Sequence, residues 1–544
     1  MTLPARPSDF RGVFRTDDDA RAVYSESAGI ARIWPRAIAV PEDAEDLSRL
    51  VQWAAATGTP LIPRGSGSSM PNGSIGDGIV VDLSRERGIG AVDTSTRTIR
   101  VGPGALRNDV DRAARRHGLR FPVDPSSGAF CTVGGMASTN AAGSHSMRFG
   151  SMRPWVRAID CVFADGAGAQ VRRGVAPPAG VDAVSRFLSA RGLTEAARQT
   201  STEHSRVLKD SSGYGLRSYA QSHELVDLLV GSEGTLAFFT GVELDLIPVA
   251  PATSSVLGAF ATIEAAVVAA GRARDAGAVA CELLDRTFLD VAALGGGKRQ
   301  LPTETESALL AEVEGNDEAS AAAAAYAVEA IFRDAGATTV RTALDRTTET
   351  ELWELRHAAS PILARLDPNL RSMQFIEDCA IPPENLATYV RGVRAILVAN
   401  ETRGVIFGHA GDAHVHVNPL VDVNRAGWRA RVDQILESVV MLTAALGGTL
   451  AGEHGDGRLR TPLMARIWSS EAIAAFRAVK AAFDPLGILN PGVKVSLPGE
   501  RALGDVKYDL ELPPLPARAR AALARVEHER AYAEFRLDLI AESA

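Results

Sequence analysis

A chain of 544 residues is too long for one hydrophobic core, and with 46% hydrophobic and 23% charged residues it reads as a globular protein of two large domains. Its net charge of −8 comes from interspersed acidic and basic residues without a basic stripe, which argues against a nucleic-acid partner. The four cysteines, Cys131, Cys161, Cys281 and Cys379, lie far apart without CxxC spacing, so no zinc ribbon or iron–sulfur cluster is expected within the chain.

The opening MTLPARPSDF lacks a signal-peptide core, and no run reaches about 18 apolar residues. The expectation is no transmembrane segment and a reduced, cytoplasmic setting, with membrane contact only through a partner. After a lead-in at 1–31, a strand is predicted at Ala37–Val40, then a helix opened by Pro41-Glu42-Asp43 and a strand at 60–62. The loop PRGSGSSMPNGS (63–74) follows. Its small residues let backbone N–H groups approach an anion such as a pyrophosphate. It is neither GxGxxG nor a P-loop, and a plain loop is the bland alternative.

A second loop, PSSGAFCTVGGMASTNAAG (125–143), repeats this chemistry and adds Ser138, Thr139 and Asn140, which suggests an extended cofactor. Asp165-Gly166 reads as a hairpin turn between strands at 156–164 and 167–172. Residues 171–230 read as an insertion, and GSEGTLAFFTGVELDLIP (231–248) runs from Glu233 into an alternating strand. After Pro248 and Pro251, Ala-rich helices at 263–276 and 318–335 alternate with strands at 308–314 and 338–341, the texture of a second α+β domain. From Arg501 a proline-rich stretch leads into a charged helix, expected to lie on the body or on a second copy in a homo-oligomer.

Four of the ten histidines fall in FGHAGDAHVHVN (407–418) and AGEHGDG (451–457). His414 and His416, two apart on an extended segment, would project from one face. With His409 and Glu453 they offer ligands suited to a borderline divalent metal with an open position.

The two glycine loops, GSEGTLAFFTGVELDLIP and FDPLGILNPGVK (483–494) together resemble the FAD-linked oxidase superfamily typified by vanillyl-alcohol oxidase and p-cresol methylhydroxylase. FIEDCAIPPENL (375–386), HAGDAHVHVNP and GEHGDGR are similar to the branch of D-2-hydroxyacid dehydrogenases acting on D-lactate, D-2-hydroxyglutarate or glycolate. The resemblance implies an α+β fold. A two-subdomain PCMH-type FAD-binding domain would span 32–250, a C-terminal cap 251–495 with its last segment returning to the FAD domain, and a tail helix 496–544.

It also implies site residues. Arg64, Gly65, Ser66, Gly67, Ser68 and Ser69 would hold the pyrophosphate. Pro125, Gly134, Gly135, Ser138, Thr139 and Gly143 would line pyrophosphate and isoalloxazine, Glu233 and Gly234 the adenosine half, and Asn490 the flavin edge. The first loop has no histidine or cysteine for covalent attachment and His145 stands beyond the second, so non-covalent FAD is expected. By the same resemblance His409, His416 and Glu453 bind zinc or manganese, His454 is the base and Asn418 touches substrate. Arg356 clamps the substrate carboxylate, with Ser360 one helical turn on.

The implied reaction is oxidation of a small D-2-hydroxy acid to the 2-oxo acid, with hydride passing to flavin N5 and electrons onward to an iron–sulfur or other acceptor protein. Two departures stand out. His414 replaces an asparagine of the family motif, as a third ligand, an outer group or a buried structural histidine. Ile376 or its neighbours stand where D-2-hydroxyglutarate enzymes place a lysine, leaving Arg371, Arg458 or Arg460 as substitutes. A metal-dependent hydrolase and a non-redox flavoprotein of the alkylglycerone-phosphate synthase type are the alternatives.

Overall fold

The computed structural model describes residues 4–190, 192–200, 202–294, 301–363 and 369–542. The first sheet has four strands in the order Val13–Arg15, Ala37–Val40, Ile79–Asp82, Leu61–Arg64, parallel except for the outer Val13–Arg15. Helix Ala44–Thr57 begins where the Asp43 side chain caps the Asp46 N–H and ends at left-handed Gly58. Its Leu47, Leu50, Val51 and Ala54 pack on one face of the sheet, and this fixes the strand Leu61–Arg64 that delivers the first glycine loop.

The second sheet is five-stranded and antiparallel, ordered Ile89–Asp93, Thr98–Val101, Phe238–Asp245, Val156–Val162, Gly168–Arg172. Asp165-Gly166 makes the expected hairpin, with Gly166 at φ 82°. The late segment does return to the first sheet: Leu61 N–H donates to Ile488 O at 2.8 Å and Asn490 N–H to Leu61 O at 2.9 Å.

The third sheet has seven antiparallel strands ordered Thr339–Ala343, Ala252–Phe260, Ser307–Gly315, Ala280–Asp285, Arg403–His409, His416–Asp422, Leu370–Ser372. Alternation sorts its side chains: Val256, Leu283 and Ile406 face helices Ile263–Asp275 and Glu318–Asp334, while Leu257, Leu284 and Val405 face helices Arg286–Leu294 and Arg346–Leu363. Glu282, His409, His416 and Asn418 share the second parity, and Glu282 pairs across strands with His409, His416 with Phe407, and Asn418 with Val405. The chemistry of this domain is thus gathered on the face covered by the helix that carries Arg356.

Two expectations change. His414 lies before the strand, after a turn at Ala413 (φ 53°), and its backbone bridges to Ala380 rather than joining the ladder. The tail is two helices, Ala517–His528 and Arg536–Glu542, broken at left-handed Arg530. Among the described residues no helix is long and apolar enough to cross a membrane, and all four cysteines are buried thiols.

Candidate active site

A cavity of about 1060 Å³ runs between the two glycine loops and the histidine-bearing face of the third sheet. Residues 64–69, Pro125, Gly134, Gly135, Ser138, Thr139, Gly143, Glu233 and Gly234 all reach its wall, as do Arg356, His409, His416, Asn418, Glu453 and His454. Local chemistry sets the loops. Gly67 sits at φ +75°, where a Cβ would come within 2.3 Å of Arg64 Nη2. Thr132 caps the short helix Val133–Thr139 by accepting from Gly135 N–H, turning Ser138 and Thr139 to the cavity.

Two residues expected at the cofactor bind other protein groups. Asn490 is absent from the wall: its amide donates to Gly73 O at 3.0 Å and Glu233 O at 2.8 Å, and its Oδ1 accepts from Arg458, so it pins loops together. The Glu233 carboxylate accepts from the N–H groups of Asp456 and Gly457 at 2.7 and 2.9 Å and pairs with Lys494 at 2.9 Å. Glu233 and Gly234 still reach the cavity wall. The Ser360 side chain lies outside the described residues.

At the other end, Glu453 Oε1 stands 3.4 Å from His409 Nε2, 3.3 Å from His416 Nε2 and 3.7 Å from His454 Nε2. The outer nitrogens are held from behind: His409 Nδ1 by Glu282 at 2.6 Å, His416 Nδ1 by the Glu377 carbonyl at 2.9 Å, and His454 Nδ1 by the Glu377 carboxylate at 3.1 Å. This is the arrangement that orients metal-ligating imidazoles. His414 bonds Asp378 through Nε2 at 2.9 Å, is fully buried and does not reach the cavity wall.

Sequence reasoning missed Lys209, Glu282, Glu377 and Asp378. Lys209 Nζ is 2.6 Å from Glu453 Oε2, an ion pair in distance although off the hydrogen-bonding directions of both atoms. Arg460 pairs with Glu377 and Asp378, and Arg356 Nε donates to Glu282 Oε2 at 2.7 Å with its guanidinium over the Phe407 ring. Glu377 and Asp378 sit inside FIEDCAIPPENL, whose local pattern carries no sign of what the carboxylates face.

Ile376 is core. Of the three arginines offered as substitutes for the missing lysine, Arg371 lines the cavity; Arg460 is held by the acids, and Arg458 by Gly73 O and Asn490.

The buried carboxylates favour positive charge on two of the imidazoles. Burial opposes protonation of His409, yet the Glu282 and Glu453 carboxylates together lift the imidazole to about 9. His454 rises to about 9 against burial because Asp378 and Glu377 flank it. Burial pushes His414 down to about 3, with Lys209 adding to the effect, and also lowers His416. One ligand atom from each of His409, His414, His416 and Glu453 lies within 4.8 Å of the others, and buried His414 Nδ1 has no hydrogen-bond partner. An acidic shell, convergent imidazoles and an orphaned nitrogen fit a divalent cation.

Residues 35–171 match the family model described as FAD binding domain, and residues 250–493 the one described as FAD linked oxidases, C-terminal domain. A D-lactate dehydrogenase of Archaeoglobus fulgidus is 30% identical over 83% of this chain and 89% of its own length. A glycolate oxidase subunit GlcD of Bacillus subtilis is 29% identical over 88% and 93% of the two chains. A D-2-hydroxyglutarate dehydrogenase of Pseudomonas putida is 29% identical over 97% of this chain and 54% of its own, so the chain spans about half of that relative. Among solved structures, 4-ethylphenol oxidase from Gulosibacter chungangensis superposes with a TM-score of 0.65 over 89% and 94% of the chains at 15% identity, a likeness of fold. The loops, the cavity and these relatives together make the chain an FAD-dependent oxidoreductase that belongs to the D-2-hydroxyacid branch of the FAD-linked oxidases.

Proposed function

We propose that the protein oxidises a small D-2-hydroxy acid to the 2-oxo acid, using non-covalent FAD and a divalent metal, zinc or manganese. The supporting observation is the single cavity that joins both glycine loops to His409, His416, Glu453, His454 and Arg356. When bound, the flavin supplies a hydride acceptor and the metal a Lewis acid for the substrate hydroxyl.

Arg356, oriented by Glu282, offers its planar fork to the substrate carboxylate. His409, His416 and Glu453 are the ligands, each fixed by an outer partner. His454 Nε2 takes the hydroxyl proton while Nδ1 stays with Glu377, and Asn418 offers a polar contact in the same wall. The Asp378 and Glu377 carboxylates hold the proton on His454, and a cation held by His409, His416 and Glu453 would offset them and favour the neutral base.

Both ring nitrogens of His145 are engaged, by Asp124 and Glu312, which supports non-covalent FAD. Relatives named as oxidase subunits support electron transfer to a separate acceptor protein. A hydrolase would not need the joined cofactor cavity.

The test is anaerobic flavin bleaching with D- and L-lactate, glycolate, D-2-hydroxyglutarate and malate, with and without chelator. A D-2-hydroxy acid is expected to bleach the flavin and EDTA to prevent it. Undiminished bleaching after verified metal removal would overturn the metal's role, and a flavin that no hydroxy acid bleaches would overturn the reaction.

A further inference from the structure

Residues 503–542 lie beyond both family matches, yet they form part of the cofactor cavity. At one end Leu503 and Val506 pack into the core of the third sheet. At the other, Ala519, Ala522, Val526 and Leu539 cover Ile38, Val40, Ile62 and Val80 on the outer face of the first sheet. Between these anchors Lys507, Tyr508 and Tyr532 reach the cavity wall.

Three contacts from this segment reach the glycine loops or their immediate support. Arg536, 3% exposed, donates Nη2 to Ser66 O at 3.0 Å and Nη1 to Ala531 O at 3.2 Å. Tyr532 packs on Phe130 of the second loop with centroids 5.2 Å apart, and the Arg530 guanidinium lies over the same ring. Lys507 Nζ is 3.4 Å from Ser27 O, and the adjacent Ala28 N–H donates to Gly67 O at 3.0 Å.

The first loop leaves buried donors unsatisfied. Arg64 is buried over the Tyr24 ring with Nη1 at 3.4 Å from Tyr24 O and Ser74 O, and its Nε and Nη2 have no partner. Arg536 Nε is also buried without a partner. Arg64 is on the cavity wall with orphaned donors that suit an anion there, while Arg536 stands behind the Ser66 carbonyl and Asp82 is a carboxylate close to both. A dinucleotide's diphosphate is the anion that the neighbouring backbone N–H groups suit.

We propose that the C-terminal segment is a third cofactor-binding element. Arg536 is a positioning residue that fixes the Ser66 carbonyl and, with Arg64 and Lys507, supplies positive charge toward the FAD diphosphate. Tyr532 steadies the second loop through Phe130.

The experiment is titration of apoprotein with FAD, with Kd read from flavin fluorescence across a range of salt concentrations. Arg536→Ala and Lys507→Ala are expected to raise Kd at least tenfold and to flatten its salt dependence. Arg536→Lys should recover part of the loss, and Tyr532→Ala should raise Kd with the salt slope intact. Arg525→Ala, on exposed ion pairs of the same segment, is the control and should leave Kd unchanged. Kd within twofold of wild type in both Arg536→Ala and Lys507→Ala would overturn the proposal, as would an equal rise in the control. Lys507→Ala keeps the test open if Arg536→Ala does not fold. Because Kd is read without substrate, its outcome is separate from that of the hydroxy-acid bleaching experiment.

Discussion

Arg356 donates its Nε–H to Glu282 Oε2 at 2.7 Å while the other oxygen of that carboxylate lies 2.6 Å from His409 Nδ1. One buried acid therefore orients both the proposed substrate clamp and a proposed metal ligand, from a strand 127 residues before His409. Glu282→Gln preserves volume but removes the charge that both partners face. Metal affinity should fall by about 10- to 100-fold and KM should rise in the same variant. Metal retention under graded chelator, together with steady-state kinetics, checks both effects.

His454→Gln should lower the rate of flavin reduction by about 10²- to 10⁴-fold, the range for loss of a general base. FAD and metal content should stay near wild type, because His454 stands outside the set formed by His409, His416 and Glu453. Stopped-flow reduction with metal analysis of the same sample measures this.

His414 has a different expected phenotype. With Nε2 bonded to Asp378, its unpartnered Nδ1 is the nitrogen left to face a cation. His414→Asn, which installs the residue of the family motif, should weaken metal binding by roughly tenfold, while the reduction rate at saturating metal stays within about twofold. A rate that stays depressed at saturating metal would contradict this.

Arg371→Met should raise KM for D-2-hydroxyglutarate about tenfold or more and leave KM for D-lactate nearly unchanged, since a second carboxylate would lose a charged partner worth ~1.5–3 kcal/mol. Arg371 lines the cavity, unlike Ile376, which is core. Equal effects on both acids would remove Arg371 from substrate selection.

The two halves of the molecule are clasped at His145, whose Nδ1 meets Asp124 Oδ2 at 2.5 Å and whose Nε2 meets Glu312 Oε1 at 2.8 Å. Burial opposes the imidazolium, but the two carboxylates raise it well above its ordinary 6.5. A folded-state value above the unfolded one stabilises fully below about pH 6.5 and loses that contribution as pH rises through the folded value. The stability advantage of wild type over His145→Gln should thus be largest below about pH 6.5 and shrink as pH rises through the raised folded-state value. Urea denaturation of both proteins at each pH reads the difference, and an advantage that grows with pH would refute the clasp.

Much of the architecture was legible because its signals are local. Asp43 and Gly58 bracket a helix, Asp165-Gly166 makes a hairpin, and the small residues of 63–69 and 125–143 permit close backbone approach wherever they lie in space. The spacing of His409, His416 and Glu453 likewise survives folding, since two of the three flank one hairpin.

What the sequence determined by itself was the family and the cofactor loops, with candidates for ligands, base and clamp, since each motif is carried by residues close in the chain. Tertiary structure decided the partners. Glu282, Glu377 and Asp378 meet the histidines, and Lys209 meets Glu453, only because sheet parity and loop return bring distant carboxylates and an ammonium to one buried point, where low dielectric makes each charge consequential. The same physics engages Glu233 and Asn490 with other protein groups. Each carries polar groups that, once buried, are satisfied by nearby backbone N–H and C=O groups rather than by a ligand.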